Sequence, residues 1–351
     1  MLYDVVRPLL FQFDSERAHN AAIAAMEFVS DHPRMLRLLR RRYVHPDPRL
    51  AVTVGGVKMP NPIGLAGGFD KNGRATAALA SSGFGSVEVG TVTPLAQPGN
   101  TGTRIWRFPA EKALVNAMGF PNDGVTAVTD RLRWRKHLMT VPIGVNVGLN
   151  KETPPDKAVE GYVTSVRAAL DVADYFTVNV SSPNTQGLRA LQQADAFCPI
   201  AQAVVSAAGN VPVFAKLAPD LDEEAIRAFV RVCIDEGIRA VIATNTTTSR
   251  VHLRAADDLA GGASGEPLHR RAVDVARICV HEAHGRLDVI GVGGILSFVD
   301  VVDFLQAGCA SVQLYTGYIY EGPSLPRRLN DRLSHLLDTQ EVHSVSQLFR
   351  H

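Results

Sequence analysis

"VPVFAKLAPDLDEEAIRAFVRVCIDEGIRAVIATN" (211–245) carries a strand, a helix and a second strand in one uninterrupted run. "VPVFAKL" (211–217) and "RAVIATN" (239–245) are Val-, Ile- and Phe-rich and apolar without clean alternation, as strands covered on both faces are. Between them "DEEAIRAFVRVCIDEG" (222–237) repeats apolar residues at three- and four-residue intervals. It opens on an aspartate cap with an acidic first turn and closes at Gly237, which predicts a helix. A strand–helix–strand unit of this kind belongs to parallel α/β folds.

The same unit recurs on both sides. Further candidate strands are "PIGLAG" (62–67), "FGSVEVG" (84–90), "VPIGVNVG" (141–148), "DYFTVNVS" (174–181), "DVIGVGG" (288–294) and "ASVQLYTG" (310–317). Helical patterns lie between them, as in "PDKAVEGYVTSVRAAL" (155–170) and "SFVDVVDFLQAG" (297–308), the latter with a Ser297 cap and a stop at Gly308. Eight strands, each followed by a helix, predict a (β/α)8 barrel of the TIM type. A doubly wound sheet would offer five or six strands and a GxGxxG turn after the first, and no such turn occurs. The barrel is expected over 43–338. A small helical domain over 1–42 precedes it and a tail over 339–351 follows.

The 351 residues are 46% hydrophobic and 20% charged, with net charge +1, so no global field points to nucleic acid. Cys198, Cys233, Cys279 and Cys309 form no CxxC pair, so neither a zinc site nor a disulfide framework is expected. No run is long and apolar enough to span a membrane, and no signal peptide is read at the start.

Barrel chemistry collects at the C-terminal ends of the strands. Here those ends read "AGGFDKNG", "GTVTP", "NVGLNK", "NVSSPNT", "KLAPD", "TNTT", "GVGGI" and "YTG". "GVGGI" (291–295), "GGASG" (261–265) and "YTG" (315–317) suit a phosphate held by backbone N–H groups, or else tight turns alone. Lys216 could stabilise negative charge on a bound ring, form a Schiff base, or sit as a rim lysine. Lys71 could meet a carboxylate, or be an exposed charge. Asn116, Asn146, Asn179, Asn184 and Asn245 suit a planar ligand with alternating donors and acceptors, since an amide offers both. Ser182 lacks a triad or a GxSxG elbow, so it is no acyl-transfer nucleophile. It is either a turn residue or, with a relay such as Thr185 or water, a group that takes a proton.

Taken together, these blocks resemble the dihydroorotate dehydrogenases, and within them the membrane-associated, quinone-dependent class, over residues 3 to 337. The resemblance rests on "GLAGGFDKNG", "GFGSVEVGTVTPLAQPGN", "NAMGFPNDG", "NVSSPNTQGLR", "KLAPDL", "TNTT", "GGASGEPL", "GVGGI" and "YTG", in that order. It implies one FMN per chain, with its phosphate at Gly265, Gly294, Tyr315 and Thr316. Around the rest of the cofactor it implies Gly67, Gly68, Phe69, Asp70, Lys71, Thr91, Asn146, Asn179, Lys216 and Thr244. Dihydroorotate, leaving as orotate, would meet Lys71, Asn116, Ala117, Met118, Gly119, Phe120, Asn179, Asn184, Asn245 and Thr246. Ser182 would be the base that takes the C5 proton while the C6 hydride leaves to the flavin. The soluble class carries a cysteine at that position. Ala117 departs from the larger or charged residue frequent in relatives, and Thr316 stands where serine is common.

Residues 1–42 read as short amphipathic helices interrupted near Pro8 and Pro33. Arg34, Arg37, Arg40, Arg41 and Arg42 lie beside Met35, Leu36, Leu38 and Leu39. That pattern suits an element on anionic lipid or a flap over the barrel. The resemblance implies the first, with an apolar tunnel to the flavin and with His19 and Arg107 as contacts for a membrane quinone. It also implies a peripheral protein on the cytoplasmic side of the cell membrane, and a monomer. A Schiff-base aldolase barrel and a lipid-surface binding protein are the competing readings.

Overall fold

The computed structural model describes residues 2–253 and 256–348. Helices α1 (Leu2–Leu10), α2 (Ser15–Ser30) and α3 (Pro33–Tyr43) come first, followed by a hairpin of β1 (Val52–Val54) and β2 (Val57–Met59). The remaining strands are β3 (Ile63–Asp70), β4 (Ser86–Val92), β5 (Ile105–Phe108), β6 (Ala113–Asn116), β7 (Ile143–Val147), β8 (Tyr175–Asn179), β9 (Val213–Leu217), β10 (Ala240–Ala243), β11 (Gly262–Gly265), β12 (Asp288–Val292) and β13 (Ser311–Leu314). Among them run α4 (Thr76–Ala80), α5 (Val125–Arg135), α6 (Ala158–Ala168), α7 (Ala194–Ala208), α8 (Glu223–Asp235), α9 (His269–Ala283), α10 (Phe298–Gln306), α11 (Thr316–Glu321), α12 (Leu325–Thr339) and α13 (Val345–Leu348).

Strands β3, β4, β7, β8, β9, β10, β12 and β13 close in sequence order into a parallel eight-stranded barrel, so the expected (β/α)8 fold is the observed one. All eight coincide with the runs read from sequence. The reason is visible in burial: β4, β7, β8, β9 and β10 are buried at every position, so they carry apolar residues on both faces. Helix α8 shows the matching logic. Asp222 caps it by accepting from Ala225 N at 2.8 Å, and Ile226, Phe229, Val230 and Cys233 bury one face. Phe229 stacks on Phe197 of α7 at 4.4 Å. Ser297 and Asp300 form a reciprocal capping box on α10.

Three features depart from the sequence reading. Residues after β4 and β10 make excursions that pair as a separate antiparallel sheet, β11–β6–β5. Pro8 lies inside α1 rather than ending it, because a proline near the end of a short helix removes one backbone bond and leaves the preceding turn intact. The break falls at 11–14, while Pro33 does open α3 as expected. In the tail, α13 turns back on the body and buries Val345 in the main core, with Val342 and Leu348 packed against it.

The N-terminal helices are sutured to the barrel. Leu36 packs with Ala77 and Ala78 of α4, Ser30 Oγ accepts from Ala78 N, and Glu27 pairs with Arg74. Of the five clustered arginines, Arg34, Arg37, Arg41 and Arg42 are exposed. Arg40 turns inward instead, donating to Ser81 Oγ at 3.1 Å and to the Leu138 carbonyl at 3.0 Å.

Candidate active site

One cavity of about 410 Å³ joins the strand ends to the N-terminal helices. Its polar limb is lined by residues from the tops of the barrel strands. Its apolar limb runs between Tyr3, Leu10, Phe11, Ala18, Ala22, Met26, Ile105, Leu114 and Ile319.

The polar floor begins at β3, where Gly67 and Gly68 are required by space. A Cβ on Gly67 would lie 2.6 Å from Glu88 Oε1, and Gly68 sits at φ +102. Along the next strands, Thr91 Oγ1 donates to Asn146 Oδ1 at 2.6 Å, and Asn179 Nδ2 donates to Thr91 Oγ1 at 2.9 Å. Asn179 and Lys216 are opposite each other across β8 and β9. Lys216 is 5% exposed, and no hydrogen bond to its ammonium is found among the described residues. Burial pulls its pKa down, opposed by the charge of Glu88. Asn245 Nδ2 reaches Ser181 Oγ at 2.9 Å, and Asn184 Nδ2 reaches Asn116 Oδ1 at 2.9 Å. Two buried atoms of residues on this wall, Asn184 Oδ1 and Thr246 Oγ1, have no hydrogen-bond partner among the described residues.

The glycine-rich end lies beside β12 and β13. Gly265 (φ +100), Gly293 (φ +141) and Gly294 (φ +66) turn backbone where a side chain cannot follow, and a Cβ on Gly265 would lie 2.2 Å from the Lys112 carbonyl oxygen. His269 braces this turn: Nδ1 lies 3.2 Å from the Gly293 carbonyl oxygen and Nε2 lies 2.9 Å from Asp303 Oδ2. Thr316 Oγ1 donates to Ser264 Oγ at 2.8 Å, and Tyr315 OH to the Gly68 carbonyl at 3.2 Å. Burial pushes the Tyr315 phenol up to about 12, so it stays a neutral donor.

Ser182 lines the cavity, 5% exposed, and its Oγ accepts from Asn184 N at 3.2 Å. Thr185 is not on the cavity wall, and no bond joins it to Ser182 among the described residues. The loop behind Ser182 is held by Arg189, which donates to the Ser181 carbonyl at 3.1 Å, the Thr246 carbonyl at 2.8 Å and Asp220 Oδ2 at 2.6 Å. Lys71 Nζ donates to the Gly68 carbonyl at 2.7 Å. Burial, against the attraction of Glu16, brings its pKa down to about 8.

His19 and Arg107 stand in the apolar limb. The His19 ring meets Phe69 edge-on at 5.2 Å, and burial with the nearby Lys71 charge lowers its pKa to about 3. Arg107 binds the α1–α2 connection: it donates to Ser15 Oγ at 2.8 Å, the Leu10 carbonyl at 3.3 Å and the Phe13 carbonyl, with its guanidinium over the Phe11 ring at 4.8 Å.

Most residues expected at the site therefore meet on one cavity, including Gly67, Phe69, Thr91, Asn116, Met118, Gly119, Phe120, Thr244, Asn245, Thr246, Gly294 and Thr316. Three are not on its wall. Asp70 is absent from the cavity lining and accepts instead from Arg74 N, Ala75 N and Thr76 Oγ1, fixing the turn that leads into α4. Asn146 lies behind the wall, spent between Glu88 and Thr91. Ala117 presents its carbonyl to Asn100 Nδ2 at 3.0 Å outside the cavity. Sequence reasoning missed Gln313, which lines the cavity, and Glu88 beneath it. A buried Glu inside the apolar run "SVEVG" was the available signal.

Comparison with known proteins agrees with this geometry. A profile of the family described as dihydroorotate dehydrogenase matches residues 49–337. A protein of Acidithiobacillus ferrooxidans named dihydroorotate dehydrogenase (quinone) is 42% identical over 344 residues, 95% of this chain and 94% of its own. One of Salinispora arenicola with the same name is 46% identical over 335 residues, 93% of this chain and 97% of its own. Among solved structures, the DHODH of Eimeria tenella in complex with ferulenol superimposes with a TM-score of 0.87 at 32% identity, covering 97% of each chain. With a matching fold, a family profile over most of its length and near full-length relatives, this chain belongs to the dihydroorotate dehydrogenase family.

Proposed function

We propose that the protein oxidises dihydroorotate to orotate with FMN as the first acceptor and a membrane quinone as the second, in pyrimidine synthesis. The observation that carries this reading is the single cavity with two chemically different limbs. One is walled by amides, hydroxyls and lysines, the other by the apolar faces of α1 and α2.

The residues fit the cofactor. Gly265, Gly293 and Gly294 leave room where a Cβ would collide, as a phosphate cradle requires. Lys216 is a buried cation without a hydrogen-bond partner among the described residues, suited to a ring that gains negative charge. FMN bound there supplies a hydride acceptor that can also be reoxidised by a quinone. Thr91, Asn179 and Thr244 line the floor that would lie against its ring, and Tyr315 and Thr316 close the phosphate end.

Dihydroorotate would present its carboxylate to Lys71 and its ring amides to Asn116, Asn184, Asn245 and Thr246. Asn184 and Thr246 both line the cavity, so each stands within its reach. Ser182 Oγ, which now only accepts a hydrogen bond from Asn184 N, would take the C5 proton. A hydroxyl is a weak base, so the proton must pass on, and with Thr185 off the cavity wall a water would serve as the relay. Arg189 would keep Ser182 in place through its bonds to the Ser181 and Thr246 carbonyls and Asp220. In the apolar limb the quinone head would meet a neutral His19 and the remaining donor capacity of Arg107.

No described helix is long and apolar enough to cross a membrane. Val5, Leu9, Phe13, Phe28 and Leu38 are all more than half exposed, with Arg34, Arg37, Arg41 and Arg42 beside them. That surface suits the α1–α3 unit lying on anionic lipid, with the barrel as a peripheral monomer on the cytoplasmic side.

The test is an anaerobic absorbance spectrum of the purified protein. A flavin band that bleaches on adding dihydroorotate, and returns on adding a quinone, is the expected result. A Ser182→Ala protein with full flavin should bleach slower by about 100-fold or more. Bleaching at the native rate would remove Ser182 from the reaction, and a protein that stays colourless when offered FMN would end the redox reading.

A further inference from the structure

Behind the glycine-rich turn after β12 stands His269, the first residue of α9, partly buried and not on the cavity wall. Its ring is held on both edges. Nδ1 lies 3.2 Å from the Gly293 carbonyl oxygen, while Nε2 lies 2.9 Å from Asp303 Oδ2 and 3.7 Å from Asp300 Oδ1. The ring also meets Phe304 edge-on at 5.5 Å. A carbonyl oxygen only accepts, so the Gly293 contact is a hydrogen bond when Nδ1 carries the hydrogen. The two carboxylates of α10 hold the other edge of the ring, which keeps Nδ1 on Gly293.

That bond fixes a peptide unit that glycine leaves loose. The 293–294 bond is trans, flanked by Gly293 at φ +141 and Gly294 at φ +66. With no Cβ on either side, such a unit can turn over and exchange the directions of its C=O and N–H at little steric cost. In a trans peptide those two groups point opposite ways. A carbonyl drawn to His269 therefore aims the Gly294 N–H away from His269. Both glycines line the cavity and His269 does not, so that direction is the cavity side. The Gly294 N–H has no acceptor among the described residues. Turned over, the same unit would present a carbonyl oxygen to the cavity, which repels an anion.

We propose that His269 is a positioning residue that pins the Gly293–Gly294 peptide with its N–H towards the cavity, and thereby sets how tightly a flavin phosphate is held there. The proposal rests on the FMN reading.

Two amides separate the two edges of the ring. An asparagine side chain puts its NH2 group near the position of Nδ1, and a glutamine side chain puts its own near that of Nε2. His269→Asn thus keeps a donor for Gly293, whereas His269→Gln reaches Asp303 and gives the Gly293 bond up. Each holoenzyme, native and variant, would be equilibrated with a fixed excess of FMN and rising riboflavin, which lacks the phosphate. The bound flavins are then separated by chromatography. The riboflavin-to-FMN ratio at half exchange measures what the phosphate adds to the affinity. It should fall by about tenfold or more in His269→Gln, for loss of a bond to a charged group, and by less than about threefold in His269→Asn. Should His269→Gln not fold, His269→Leu, which has no donor, takes its place with the same fall expected. An unchanged ratio in the variant without the Gly293 bond overturns this proposal alone, because the peptide is then held by something else. A fall in His269→Asn as large as that in His269→Gln also overturns it, because the ring then only fills space. A native protein that holds no flavin, or holds riboflavin as tightly as FMN, overturns the cradle reading and this proposal with it.

Discussion

Lys71 offers a quantitative check on the site, because it lines the cavity as the proposed carboxylate partner and is unfavourable to the fold. The half-buried ammonium has its pKa lowered from 10.5 to about 8, chiefly by desolvation. That difference amounts to about 3 kcal/mol against the charged form in the folded protein. Lys71→Met removes it and loses the bond from Nζ to the Gly68 carbonyl, about 1 kcal/mol, while that carbonyl keeps its bond from Tyr315 OH. Without substrate, the methionine protein should therefore be more stable by about 2 kcal/mol near neutral pH.

The sign gives the pH course. The folded value lies below the unfolded one, so the penalty is complete below pH about 8, shrinks as pH rises towards 10.5 and vanishes above it. Urea unfolding of both proteins at a series of pH values, with no dihydroorotate or orotate, measures the difference. Orotate affinity should meanwhile fall by about 100-fold for want of the carboxylate's partner. A stability difference that is flat from pH 7 to 10, or a lysine protein that is the more stable one at pH 7, would refute the desolvation argument.

Other outcomes follow from single contacts. Arg189→Ala strips donors from the Ser181 and Thr246 carbonyls and a partner from Asp220, so amide exchange over 182–193 should quicken by about 100-fold, and unchanged protection would show that the loop is held elsewhere. His19, held at about 3, stays neutral, so the quinone half-reaction should show no inflection near pH 6 that disappears in His19→Gln. Gly265→Ala, whose Cβ would press on the Lys112 carbonyl, should leave a folded protein that no longer retains flavin, and full retention by absorbance would exclude a tight cradle there.

The barrel was readable because burial on both faces leaves a direct trace in composition: "VFAKL" and "AVIA" are strands that could not tolerate a polar face. Caps such as Asp222 and Ser297 were readable because they act within three residues. The β11–β6–β5 sheet was not, since it joins segments about 150 residues apart through short runs containing Gly, Ser and Asn. At the site, residue types at strand ends could be read, but not which way each side chain turns. Asp70 sits beside Lys71 in one motif, yet Lys71 faces the cavity and Asp70 fixes the turn before a helix. Glu88 was hidden for the opposite reason, as an acidic residue inside an apolar strand whose partners lie 58, 89 and 225 residues away.

The cavity's two limbs have a kinetic consequence. On the proposed reading, dihydroorotate would arrive from water and the quinone from a two-dimensional film, so the two reactants would never compete for one phase. Diluting the quinone among added detergent micelles at fixed bulk concentration should therefore slow turnover through surface density alone. The rate at which dihydroorotate delivers its electrons, counted in molecules per litre, should stay where it was.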